Sequence, residues 1–159
     1  MKPEHLSTEK LIEFSREHVY YEFDMLLGVC RILHQEKLEN VYVCNALLES
    51  FVLHASVILD FFYNMPMNPY EAKAIHYVQD PKAWEKALPA FDRYLVKFNK
   101  KRNREVMHLS YERLLVLPYD KKWNSKQLLK QLSELLRLFL RYADPSLLDK
   151  KIYSLKEKL

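Results

Sequence analysis

Gly28 is the only glycine in a chain of 159 residues. Proteins built from tightly turned strands place glycine wherever the backbone needs a positive φ. A chain with a single glycine has almost nowhere to put such turns. Leu, Lys, Glu, Arg and Ala dominate the remainder, and all of them favour helix. The expected fold class is therefore all-α. The length suits one domain covering residues 1–159, and a hydrophobic content of 49% is enough for a substantial core.

Apolar spacing divides this domain into a single bundle of four to six helices. Ser7 or Thr8 caps a first helix carrying Leu11, Phe14, Val19, Phe23, Leu26, Leu27, Cys30 and Leu33 and ending near Gln35, with a soft spot expected at Gly28. A second helix, from about Val41 to Tyr63, is apolar over most of its surface and is expected at the centre of the bundle. Asn64 to Pro69 breaks it, because proline cannot continue a helix. Residues 70–79 are ambiguous, with room for one short turn. Asp80-Pro81 opens a helix running to about Phe98, with a split expected near Pro89. The basic segment then continues as helix through Leu115. Pro118 to Asn124 reads as a loop, and Asn124 or Ser125 caps a helix over Lys126–Tyr142. A last short amphipathic helix starts at Asp144-Pro145 and carries Leu147, Leu148, Ile152 and Leu155. No internal repeat is present.

The net charge is +4, mildly basic, which permits an anionic partner without requiring one. The cations cluster: Lys97, Lys100, Lys101, Arg102 and Arg104; then Lys121, Lys122, Lys126 and Lys130; then Lys150, Lys151, Lys156 and Lys158. Cys30 and Cys44 sit in apolar runs and read as buried free thiols. The opening Met1-Lys-Pro-Glu-His5 has no apolar stretch after it, and no apolar run is read as approaching the roughly 18 residues that span a bilayer. A cytoplasmic protein with no membrane contact is expected.

The richest chemistry lies in Lys97 to Arg113. On a straight α-helix Lys101, Arg104 and His108 share a face, and His108 meets Tyr111 and Glu112 one turn on. Arg102 falls well away from His108. The two converge only if the helix begins or bends near Arg102, where Asn103 is free to cap it, or if a second subunit supplies one of them. Arg102-Asn103, followed after five residues by His108, resembles the arginine–polar–histidine signature of the HEPN superfamily (higher eukaryotes and prokaryotes nucleotide-binding domains). The second helix, Asn45 to Tyr63, followed by Asn103 to Arg113, is also similar to uncharacterised bacterial proteins of about this length.

That resemblance implies a helical domain that dimerises with its motif helices near each other. Many members are metal-independent endoribonucleases of toxin–antitoxin or antiviral systems, and others are inactive binding modules. Carried over by position, Arg102 would hold the scissile phosphate, and His108 would serve as general base or acid. Asn103 would fill the polar position. Lys101 and Arg104 compete with Arg102 for the cation role, and the three stay open as alternatives. Single-stranded RNA stacks on aromatics, and Tyr111 is the tyrosine near the motif. His54 and Asp60 lie on the most apolar helix, where polar groups need partners. With Glu49 they are candidates to hydrogen-bond across the bundle to His108 or Arg113; alternatively His54, Asp60 and Arg113 orient the motif histidine from behind.

Other chemistry finds less support. Glu105-x-x-His108 has the spacing of a carboxylate di-iron pair, and His18 and Glu22 stand four apart, but no second Glu-x-x-His exists, so no metal is expected. No glycine-rich phosphate loop is present, no nucleophile elbow either, and no cofactor is expected. The expected partners are RNA, a second copy of the chain, and an antitoxin or other protein. The competing expectation is a non-catalytic helical interaction module.

Overall fold

A computed structural model describes residues 6–35, 38–63 and 70–158. The chain is an all-α bundle, and among the described residues there is no strand beyond one isolated bridge between Val78 and Ala143. The first helix is interrupted rather than straight. α1 (Thr8–Phe14) is capped by Ser7 Oγ, which accepts from the Lys10 amide at 3.3 Å. It passes through a π-helical turn (Ser15–Val19) into α2 (Tyr20–Gln35). The wide turn buries Ser15, whose hydroxyl donates to the Ile12 carbonyl at 2.8 Å and accepts from the Asp149 amide at 2.9 Å. The expected weak point at Gly28 is absent. α2 runs through it with φ negative, and a Cβ built there meets nothing within 4 Å.

α3 (Val41–Tyr63) starts at Asn40, whose Oδ1 accepts from the amides of Tyr42 and Val43. Its C-terminal half packs in the core and its first turn is open. Phe51, Val52, Ala55, Ile58, Leu59, Phe61 and Phe62 are buried, whereas Val41, Tyr42, Val43, Leu53 and Val57 are exposed. α3 corrects the reading of apolar runs, because it is long and apolar enough to cross a bilayer by length and composition. The expected break over residues 64–69 lies outside the described residues. A three-ten turn (Ala74–Tyr77) follows, with Tyr77 buried and its carbonyl accepting from the Asp144 amide at 2.7 Å.

Asp80 caps α4 (Pro81–Ala87), with Pro81 in its first turn. The chain breaks around Pro89, and Asp92 caps α5 (Arg93–Arg102). The expected continuous helix to Leu115 does not form. After α5 come a π-helical turn (Asn103–Met107), an extended stretch and a three-ten turn (Tyr111–Leu115). The cause is packing: Leu109, Leu114 and Leu115 are exposed, so no buried face holds that stretch as α-helix. A further three-ten turn (Pro118–Lys121) leads to α6 (Ser125–Tyr142), capped by Asn124. The expected amphipathic C-terminal helix is instead a three-ten helix (Lys150–Lys158), although it buries Ile152 and Leu155 as its apolar pattern requires.

The core closes on aromatic rings. Phe139 of α6 is fully buried, with ring centroids of Phe61, Phe62 and Trp84 at 5.6, 5.9 and 6.0 Å, all three edge-on. Cys30 is buried, and that burial pushes its thiol up from its ordinary value; Cys44 is only half-buried.

Two substitutions test this packing by chemical denaturation. Phe139→Ala empties the ring cluster and should lower stability by about 3–5 kcal/mol. Gly28→Ala meets open space on a helix and should raise it by about 0.5–1 kcal/mol. A loss at Gly28→Ala would mean that the glycine has a neighbour the structure does not show.

Candidate functional site

The basic segment ends α5 and is folded back on itself by its own side chains. The His108 amide donates to the Asn103 carbonyl at 3.1 Å, an i to i−5 bond that closes the π turn. His108 then turns extended, with φ −128° and ψ 140°. Arg113 straps this bend, its Nε donating to the Arg104 carbonyl at 3.0 Å and its Nη2 to the His108 carbonyl at 2.8 Å. Ser110 Oγ accepts from the Glu112 amide and starts the next turn. Because the α-helical register stops here, Lys101, Arg104 and His108 do not form the face that straight-helix spacing gives them. Asn103 does not cap a new helix either. It is helical itself, and its Oδ1 accepts from Arg102 Nε at 3.1 Å.

The three competing cations have different fates. Lys101 is committed to structure: its Nζ donates to the carbonyls of Asp120 and Lys122, pairs with Glu105 at 3.5 Å and lies 4.8 Å from the Trp123 ring centre. Arg104 pairs with Glu105 at 2.7 Å, while its Nε is buried without a hydrogen-bond partner, as is Asn99 Oδ1. Arg102 Nη1 lies 3.9 Å from Asp60 Oδ2, which puts its guanidinium at the C-terminal end of α3. His108 is exposed, and among the described residues its ring makes no hydrogen bond or ion pair. No bond joins Arg102 to His108 within this chain.

Asp60 lies on the rim of a cleft of 420 Å³ at the π turn of the first helix. Its lining is apolar at Phe14, Phe23 and Phe61 and polar at His18, Glu22, Glu71 and Lys73. Lys73 is buried; its Nζ donates to the Asp60 carbonyl at 3.1 Å and pairs with Glu71 at 2.9 Å. His54 is buried too, but its Nδ1 lies 2.7 Å from Glu22 Oε2, not near His108 or Arg113. Glu49 is exposed. Of the candidates to support the motif across the bundle, Asp60 touches Arg102, Arg113 holds the backbone on which His108 sits, and His54 contacts neither. Reading the sequence weighed Glu22 only as a neighbour of His18, and it missed Lys73. Nothing in their spacing couples them to α3, since both contacts join separate elements.

The stretch that follows His108 carries several exposed apolar side chains among the polar Ser110, Glu112 and Arg113. Leu109 is 94% exposed, Tyr111 92%, Leu114 84% and Leu115 76%. Tyr111 is thus available for stacking, and the stretch as a whole is an exposed apolar patch of the kind that marks contact with another molecule. Among the described residues no group of three or more His, Cys, Asp or Glu side chains comes together to hold a metal ion.

No family model matches the chain, and no curated protein or solved structure matches it either.

Arg113→Ala should free the two carbonyls and loosen the bend without disturbing the core. Amide exchange at His108 should speed up roughly fivefold, for about 1 kcal/mol of lost local stability. Exchange in the middle of α6 should not change. Unchanged exchange at His108 would mean that the strap does not hold the turn.

Proposed function

We propose that this chain is a HEPN-like domain that binds single-stranded RNA as a homodimer and cleaves it without metal, as the effector of a cytoplasmic toxin or defence system. The observation that carries this reading is the exposed imidazole of His108, standing beside a bare apolar stretch and separated from the motif arginine. A two-fold contact through Leu109, Tyr111, Leu114 and Leu115 would bury that stretch. It is also the arrangement by which Arg102 of one subunit meets His108 of the other, since within one subunit Arg102 is drawn to Asp60.

The chemistry needs little else. His108 takes the proton from a ribose 2′-hydroxyl, and that oxygen attacks the neighbouring phosphorus. The bond from phosphorus to the 5′-oxygen breaks, and the leaving oxygen takes up a proton. Arg102 stabilises the charge gathering on the phosphoryl oxygens. The products are a 2′,3′-cyclic phosphate and a 5′-hydroxyl. Asn103 orients Arg102 through its Oδ1, and Asp60 fixes the guanidinium from behind.

The exposed apolar stretch also favours a second reading, a non-catalytic module that docks an antitoxin or another protein through residues 107–117. Incubation of the protein with single-stranded RNA in EDTA separates the two. Cleavage should leave cyclic-phosphate ends, and Arg102→Ala and His108→Ala should each slow it by about 100-fold or more while leaving the thermal unfolding midpoint in place. RNA that stays intact at every protein concentration would rule out cleavage, leaving RNA binding alone if binding persists and weakens with salt, and otherwise the docking role.

A further inference from the structure

The clefts of this molecule differ in the sign of their charge. The one beside Asp60 mixes Glu22 and Glu71 with Lys73, and another mixes Asp92 and Glu134 with Arg141. The groove between α2 and α6, of 440 Å³, has a charged lining that is wholly basic: Arg31, Lys126, Lys130, Arg137 and Lys158, with His34 at its edge. Among the described residues no carboxylate lines it. Lys158 is neutralised by Asp24 at 2.6 Å. Arg31, Lys126, Lys130 and Arg137 are exposed and have no ion-pair partner among the described residues. Like charges gathered without counter-charges repel one another, and a bound anion relieves that repulsion.

The groove is shaped for a chain of anions rather than a single one. Lys126, Lys130, Ser133 and Arg137 recur every three or four residues and form one stripe along α6. From Lys126 to Arg137 the stripe runs about 16 Å, several phosphate spacings of a nucleic-acid strand. Leu27 and Leu129 give it an apolar wall. His34 stiffens one end: its Nδ1 lies 2.7 Å from the Cys30 carbonyl and its Nε2 3.1 Å from Ser125 Oγ. The basic track also continues past the groove. Lys101 donates to the Lys122 carbonyl at 3.1 Å, which ties the end of α5 to the segment entering α6, where Lys121 and Lys122 are exposed.

We infer that the α2–α6 groove holds the phosphate backbone of single-stranded RNA, with the Lys126–Arg137 stripe along the strand. The inference rests on the RNA-binding reading above and assigns the main electrostatic contact to α6 rather than to the α5 cluster around the motif.

Fluorescence anisotropy with a labelled oligouridine tests it over a range of salt concentrations. Lys130→Glu/Arg137→Glu should weaken binding about tenfold or more and flatten the dependence of log K on log salt by about 1.4, the contribution of two lost phosphate contacts on a single strand. Lys82→Glu/Lys86→Glu on α4 changes the net charge equally and should have a much smaller effect. The milder Lys130→Gln/Arg137→Gln should fall between wild type and the charge reversal, and circular dichroism should show all variants folded. If wild type binds RNA and the groove variants bind it equally well, the groove assignment is wrong and the RNA-binding reading stands. If wild type binds no RNA even at low salt, both are wrong.

Discussion

The packing of Phe139 against Phe61, Phe62 and Trp84 is the contact on which the rest of the molecule depends. It joins α3, α4 and α6 at a fully buried ring and fixes the rotation of the C-terminal half of α3. Asp60 directly precedes Phe61. Once the phenyl rings face inward, that carboxylate stands at the cleft rim, 3.9 Å from Arg102. The motif arginine is therefore held by the register of the core. The motif histidine is not. It follows a π turn, on a stretch whose leucines are exposed, and the Arg113 strap sets its backbone. A fixed cation and a free imidazole that do not meet within one subunit are what make a two-subunit site the natural reading.

Much of this architecture could be read from residue types. Ser7, Asp80 and Asn124 cap helices where their side chains and neighbours indicate, and the leucine stripe of α6 faces the core. The shift in backbone register could not be read. A π turn inserts one i to i−5 bond and leaves the apolar pattern on either side looking helical, so Ser15–Val19 and Asn103–Met107 have no periodicity of their own. The three-ten C-terminus escaped for a related reason, since Ile152 and Leu155 are three apart and satisfy either helix.

The site was legible only where its contacts are local. Arg102 and Asn103, whose side chains bond, are adjacent in the chain. Pairing Asp60 with Arg102, or His54 with Glu22, requires knowing how separate helices lie together. The helical-face argument for Lys101, Arg104 and His108 fails at the same place, because it assumed a straight helix through a bend that distant packing allows. In the sequence Lys126 and Lys130 belong to a cluster with Lys121 and Lys122, and Arg137 stands outside it. Only the apposition of α2, which brings Arg31 opposite them, makes a groove.

A catalytic site shared across a two-fold axis, with Arg102 from one subunit and His108 from the other, is the central claim. Mixing the inactive Arg102→Ala and His108→Ala variants under conditions that exchange subunits tests it most directly. Half of the dimers would then be mixed, each with one complete site, and the account predicts that RNA cleavage returns to roughly a quarter of the wild-type rate. A mixture that forms hybrid dimers yet stays as inactive as either parent would contradict it.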